Sequence, residues 1–243
     1  MAQKKSSRPR KKTQRAQEKS TCLIPFYNED ERIFKTVELI SSIQEIDEII
    51  CVDDGSTDSN HTRLKKLFPK IHVLRLRKNQ GKSSAVLHGL MSVTTPRVLL
   101  LDADLQQLQK DEIITAITAV KSNSKIDMLI LRRSNYAPLV TAIRHDILMS
   151  GERIMRTEDL KEVFKKPPTG YQLEVAINDY MMKKEKKCYW IQTSLANSYK
   201  MEKWTLSDAV LKYRDEWTGY ISYDGPITYL SQIFAFCKDE YPH

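Results

Sequence analysis

The stretch Val98-Leu99-Leu100-Leu101-Asp102-Ala103-Asp104-Leu105-Gln106 constrains the fold more than any other. An uninterrupted apolar run reads as a strand buried on both faces, and such strands belong to parallel sheets covered by helices. The run ends abruptly in two carboxylates one residue apart. Open α/β sheets bind ligands outside the carboxyl ends of their strands, so acids delivered there are candidate hard oxygen ligands for Mg²⁺ or Mn²⁺. The bland alternative is a solvated strand end, or an N-cap for the next helix.

Other runs repeat the pattern. Thr21–Phe26 reads as a strand followed by Tyr27-Asn28-Glu29, and Glu48–Val52 as a strand followed by Asp53-Asp54-Gly55-Ser56-Thr57-Asp58. Ile71–Leu76 and Ile126–Leu131 supply two more strands, the last ending at Arg132-Arg133. Between them, apolar residues recur at helical spacing: Ile33, Val37, Ile40 and Ile43; Leu64 and Leu67; Ala85, Val86, Leu90 and Val93; Ile113, Ile114, Ile117 and Val120. Strand and helix alternate, which predicts an α/β fold: a mainly parallel, Rossmann-like sheet with helices on both faces. Three strands then end in acids at one edge of one sheet.

Asn79-Gln80-Gly81-Lys82-Ser83 opens the third helix and invites a P-loop reading. The glycine required five positions before Gly81 is absent, since Leu76 stands there. What remains is a helix N-terminus with Lys82 beside it, able to touch phosphate or to cap a turn.

Past residue 135 the alternation weakens. Asp159–Phe164, Glu174–Lys184 and Thr205–Trp217 read as helices and Cys188–Gln192 as a strand. Pro226–Cys237 carries Ile227, Leu230, Ile233, Phe234 and Cys237 on one helical stripe, read as core ahead of membrane contact.

Charge is unevenly placed. The formal net charge is +8, yet residues 1–20 hold Lys4, Lys5, Arg8, Arg10, Lys11, Lys12, Arg15 and Lys19 against Glu18 alone. Residues 1–20 are therefore expected to be a disordered polybasic tail, suited to anionic lipid, to RNA or only to solubility, while the near-neutral body makes nucleic acid the less expected partner. The tail lacks the apolar segment of a secretory signal, and no apolar run is long enough to span a bilayer. Cys22, Cys51, Cys188 and Cys237 form no CxxC pair, and two of them fall in strands. This fits a cytoplasmic protein, peripheral at the inner membrane face if the tail binds lipid.

Four segments in order, Ile24-Pro25-Phe26-Tyr27-Asn28-Glu29, Val52-Asp53-Asp54-Gly55-Ser56-Thr57-Asp58, Asn79-Gln80-Gly81-Lys82 and Leu101-Asp102-Ala103-Asp104-Leu105-Gln106, resemble the motifs of family-two glycosyltransferases with a GT-A fold. The wording is nearest to dolichyl-phosphate mannosyltransferase-like and polyprenyl-phosphate glycosyltransferase-like members, and it is strong over residues 21–133. The resemblance implies a GT-A domain over 21–217, divided into a nucleotide-sugar half (21–133) and an acceptor half (134–217), with 218–243 as a C-terminal amphipathic segment. It implies a UDP- or GDP-sugar donor, a polyprenyl or dolichyl phosphate or other lipid-linked acceptor, and Mg²⁺ or Mn²⁺.

By the same resemblance Pro25, Tyr27 and Glu29 flank base and ribose, and Asp53 accepts from the base edge. Lys82, Asp102 and Ala103 complete the donor site. Asp104 is the direct metal ligand, Asp102 the second acid of the metal pair. Ser150-Gly151-Glu152-Arg153-Ile154-Met155-Arg156 and Gly170-Tyr171-Gln172-Leu173-Glu174 resemble acceptor-side segments. These make Arg133 and Arg153, with Arg144 behind them, expected phosphate forks. Glu174 is the expected base for a hydroxyl acceptor, ahead of Asp146 and Asp179. Segment 197–204, where relatives carry a metal-binding histidine, has none. Inversion by direct displacement is expected. The alternatives are a retaining, glucosyl-phosphoglycerate-type transfer to a small soluble acceptor, and a non-catalytic binder on the same scaffold.

Overall fold

The computed structural model describes residues 18–134, 141–142, 144–197 and 206–242, with backbone only at 171, 196–197 and 206–217. Residues 1–17 of the basic tail and most of segment 197–204 lie outside the described residues. Glu18 pairs with Arg97 at 2.8 Å and Ser20 already belongs to a strand, so the ordered body begins before residue 21.

The described elements are β1 (Ser20–Phe26), α1 (Arg32–Ser41), β2 (Glu48–Asp53), α2 (Asn60–Leu67), β3 (His72–Arg75), α3 (Lys82–Leu90), β4 (Arg97–Leu100), β5 (Leu105–Gln106), α4 (Lys110–Ser122), β6 (Met128–Arg132), α5 (His145–Leu148), β7 (Arg153–Arg156), α6 (Thr157–Val163), α7 (Leu173–Lys183), β8 (Cys188–Gln192), β9 (Ala196–Asn197) and α8 (Leu206–Ala235). A 3₁₀ turn, Gly170–Gln172, precedes α7. The main sheet runs β3-β2-β1-β4-β7-β6-β8, and β5 pairs with β9 apart from it.

Strands β3, β2, β1 and β4 are mutually parallel, as the alternation predicts. Their side chains alternate between two cores. Cys22, Ile24, Cys51, Leu99 and Leu101 face Ile33, Val37, Ile40, Leu64 and Ile113 on one side. Leu23, Ile50, Val52, Val98 and Leu100 face Val86, Leu90, Leu148, Leu160 and Phe236 on the other. Helix α3 lies so close to the sheet that a Cβ on Gly89 would fall 2.3 Å from Leu23 Cδ1.

Strand β7 escapes the sequence reading. It is antiparallel to both β4 and β6 and sits between them, so the sheet is mixed there. Its sequence, Arg-Ile-Met-Arg, breaks the apolar run at both ends, and only the buried Ile154 and Met155 signal a strand. At the C-terminus, α8 runs across the expected boundary at 217. Its break is at Asp224 and Gly225, where Gly225 takes φ +85° and Pro226 restarts the helix.

Candidate active site

Because β2, β1 and β4 are adjacent and parallel, their carboxyl ends meet at one edge, where the strand order reverses. That is the place where α/β sheets hold ligands. Pro25 fits a central strand for a local reason. Phe26 O accepts Asp54 N on the β2 side, so Pro25 turns its nitrogen towards β4, past the last register pair Leu23↔Leu100. No ladder bond is lost there.

The loops beyond β1, β2 and β3 are tied together. Asn28 N donates to Ser56 Oγ (3.0 Å), and Thr57 N donates to Asn28 Oδ1 (2.9 Å). Asp54 is buried, and its carboxylate accepts Gln80 N at 2.9 Å and Gly81 N at 2.7 Å. Gly55, at φ +75°, has no room for a side chain: a Cβ would sit 2.5 Å from the Lys78 carbonyl carbon. Asp54 is thus the clamp that sets the start of α3, a role the sequence reading did not give it, although its pairing with Asp53 was visible.

Lys82, at the first position of α3, reaches across the crevice. Its Nζ lies 2.6 Å from Asp102 Oδ1 and 2.9 Å from Glu174 Oε1. Arg133 Nη2 donates to Asp102 Oδ2 at 2.8 Å, and Arg133 also forks onto the buried Glu152, with Nε 2.6 Å from Oε2. Ser150 Oγ lies 3.1 Å from the same Glu152 oxygen. Residues from five separate parts of the chain therefore form one alternating series, Glu174, Lys82, Asp102, Arg133 and Glu152. Gly151 makes the series possible: a Cβ there would fall 2.6 Å from Lys82 Nζ and 2.9 Å from both Asp102 oxygens.

The series fixes protonation. Burial alone would raise the Asp102 carboxyl, but Lys82 and Arg133 outweigh it and hold the group well below the usual carboxylate range. Burial would lower Lys82, and Asp102 and Glu174 more than reverse that, keeping it charged. Glu152 is pushed up, by burial first and by the nearby Asp102 charge, against the pull of Arg133.

Other expected site residues are placed differently. Tyr27 is exposed at the end of β1, and Glu29 pairs with Arg32 at 2.9 Å. Asp53 is fully buried: Oδ1 accepts Ser56 N at 2.7 Å, and Oδ2 lies 3.2 Å from Arg75 Nε. Ala103 is a correction, since its methyl packs in the core and its carbonyl accepts Thr36 Oγ1 at 3.0 Å; it holds the turn and does not line the crevice.

Arg153 is a second correction. It is fully buried, with Nε donating to Ser150 O (2.6 Å), Nη1 to Asn178 Oδ1 (2.6 Å) and Nη2 to Leu148 O (2.7 Å), so no donor faces an acceptor. Arg144 caps the end of α8, donating to Phe236 O at 2.7 Å and to Cys237 O. Asp146 pairs with Arg132, and Asp179 with Lys183 one helical turn on, so neither competes with Glu174 for the crevice.

A divalent cation fits this edge in one way only. Among the described residues no group of three or more His, Cys, Asp or Glu side chains converges on a point, so there is no all-protein cage. Both oxygens of Asp102, one of the two expected metal ligands, are engaged by Lys82 and Arg133, and Asp104 stands in the adjoining turn. Counting Asp104, four carboxylates here face two cationic side chains. A diphosphate would be repelled unless a cation came with it, and Mg²⁺ is commonly held by one or two carboxylates plus substrate phosphates.

The fold has solved counterparts. Glucosyl-3-phosphoglycerate synthase of Mycobacterium tuberculosis, solved with Mn²⁺, UDP and glucosyl-3-phosphoglycerate, superposes with a TM-score of 0.69 at 18% identity over 84% of this chain and 79% of that one. Its complex with Mg²⁺ and UDP gives 0.67 at 19% identity, over 84% and 79%. The architecture is thus the GT-A type of Rossmann-like sheet. Residues 21–173 match the model of glycosyl transferase family 2, and the chain belongs to that family.

Among curated relatives, the undecaprenyl-phosphate 4-deoxy-4-formamido-L-arabinose transferase of Sodalis glossinidius is 36% identical over 97 residues, 37% of this chain and 30% of that protein. The dolichol-phosphate mannosyltransferase of Pyrococcus furiosus is 34% identical over 112 residues, 44% and 32%. The chain spans about a third to a half of the length of the relatives it matches.

Proposed function

We propose that this protein is a glycosyltransferase that moves a hexose from a UDP- or GDP-sugar to a polyprenyl or dolichyl phosphate or other lipid-linked acceptor. The observation that carries the reading is the charged series from Glu174 to Glu152 set against Asp104 at the carboxyl end of β4. The names of the undecaprenyl- and dolichol-phosphate relatives support the acceptor class.

On this reading Pro25, Tyr27 and Glu29 line the base and ribose, and Asp53 accepts a base N–H once Arg75 yields. Lys82 faces the diphosphate, and Asp104 holds Mg²⁺ or Mn²⁺ together with donor oxygens. When bound, that ion neutralises the departing diphosphate as the sugar–oxygen bond breaks. Arg133 orients the acceptor phosphate, which is already an anionic nucleophile and needs no base. Direct attack inverts the anomeric carbon.

A second reading, a hydroxyl on a small soluble acceptor, is favoured by Glu174. Its carboxylate stands in the crevice beside Lys82, where it could take a proton that a phosphate acceptor would not have to lose. The deciding experiment incubates the chain with UDP- and GDP-hexoses, Mn²⁺, and either polyprenyl phosphate or 3-phosphoglycerate, then reads product and anomeric configuration by NMR. Metal-dependent transfer to the lipid phosphate with inversion upholds the first reading; transfer to the soluble acceptor instead selects the second, inverted configuration matching Glu174 as base and retained configuration a glucosyl-phosphoglycerate-type transfer. Donor neither transferred nor hydrolysed, with Asp104→Ala behaving as wild type, would leave only a binder.

A further inference from the structure

The stripe Ile227, Leu230, Ile233, Phe234 and Cys237, expected to be core, is divided by the structure. Tyr229, Gln232, Phe236 and Cys237 turn inward, while Ile227 (81% exposed), Leu230 (52%) and Phe234 (71%) turn outward. Their i, i+3, i+7 spacing makes one continuous ridge. From Pro226 to Cys237 there is no charged residue at all. The outer face of a surface helix ordinarily carries the charge, and a contiguous apolar patch in its place marks an interaction site.

The ridge is held firmly. Tyr220, before the kink, stacks on Tyr229 after it, with ring centroids 6.0 Å apart and planes 11° from parallel, and Tyr229 OH meets His145 Nδ1 at 3.1 Å. Nothing has to fold for the ridge to be presented.

Lysines bracket it. At the kink, Lys166 and Lys183 both reach Asp224, at 3.6 and 2.6 Å, Lys183 also pairing with Asp179. At the other end, a cleft of about 570 Å³ brings Lys186, Lys187 and Lys238, with Glu185 and Asp239 between them, to the last turn of α8 beside Phe236, and Lys186 also pairs with Asp159 at 2.8 Å. The run Lys183-Lys184-Glu185-Lys186-Lys187 alone holds four lysines to one acid. Apolar side chains between clusters of lysine complement a layer whose hydrocarbon lies beneath anionic headgroups. No described helix is long and apolar enough to cross a bilayer, so the contact lies along the surface.

We propose that Pro226–Ala235 docks on an anionic lipid bilayer, with Ile227, Leu230 and Phe234 entering the boundary between headgroups and acyl chains. The inference is independent of which acceptor is used, and its test needs no turnover, so its failure leaves the proposed reaction untouched. The full chain is sedimented with vesicles of phosphatidylglycerol and phosphatidylcholine, and with phosphatidylcholine alone. Binding to the anionic vesicles is expected, with a drop of about tenfold or more in partitioning for L230S/F234S at an unchanged melting temperature.

Deletion of residues 1–20 is the companion variant. It is expected to weaken binding without abolishing it, and the deleted chain should still respond to L230S/F234S. Wild-type partitioning by L230S/F234S, or binding lost wholly with residues 1–20, would overturn the proposal. So would a dimer in light scattering that L230S/F234S dissolves, since the ridge would then be an interface between copies.

Discussion

Between residues 18 and 134 two carboxylates near the crevice, Asp53 and Asp54, are seated on backbone N–H groups beyond a strand end, whereas beyond residue 141 two arginines are seated largely on backbone carbonyls. Asp53 and Asp54 receive amides from Ser56, Gln80 and Gly81. Arg153 and Arg144 give their guanidinium hydrogens to Leu148, Ser150, Phe236 and Cys237 carbonyls. A strand end offers unsatisfied amides to an acid that remains near ligand. An arginine bonded to several carbonyls at once has its guanidinium held among them and not at a ligand. Acids in the first half therefore stay beside the crevice, Asp54 as the clamp on α3, while the two arginines of the second half serve mainly architecture. Arg133, in the first half, stays at the edge as well, because its partners Asp102 and Glu152 are there.

This contrast is open to direct attack. The largest effect belongs to Asp104→Ala, expected to lower transfer about a thousandfold with the urea midpoint unchanged, because the residue lies in a turn and, in the proposed reaction, supplies a metal ligand. An activity within a fewfold of wild type would move the metal elsewhere. Next, Arg153→Leu should cost about 3 kcal/mol of unfolding free energy in urea, since Asn178 and two carbonyls lose their partner. Acceptor KM should stay level in whatever remains folded; a raised KM with normal stability would return Arg153 to the acceptor site.

Asp54→Ala should cost about 2 kcal/mol by thermal or urea unfolding and weaken nucleotide binding in calorimetry, because Gln80 N and Gly81 N are left without their acceptor. Asp54→Asn, which keeps one acceptor oxygen, should recover part of both. The smallest effect is Asp179→Asn. Its pairing with the exposed Lys183 is a helix-surface pair, so stability should change by no more than about 0.5 kcal/mol and turnover not at all. Glu174→Gln, assayed beside it, should lose transfer to any hydroxyl acceptor.

The first half was legible because its signals are local. An apolar run, a turn and an acid occur within ten residues, and parallel β2, β1 and β4 bring three such ends together by topology alone. The second half resisted for reasons that are equally physical. Strand β7 contributes only Ile154 and Met155 as apolar signal, and its direction depends on what lies between β4 and β6. Glu152 stood in the Ser150–Arg156 segment without a role of its own, and only the path of Arg133 and the bare Cα of Gly151 reveal its place. The exposed ridge on α8 and the buried face behind it share one periodicity, so sequence gave the stripe without the side it faces.

The last described residues carry a separate consequence. Trp190 N donates to Asp239 O and Tyr241 N donates to Trp190 O, so the chain end runs beside β8 as a short parallel rung. Without it, β8 would present a row of unpaired amides and carbonyls at the margin of the sheet, a template for a strand from another molecule. The rung thus acts as a guard against self-templating, and cleavage after Cys237 is expected to appear first as concentration-dependent turbidity, before any loss at the crevice.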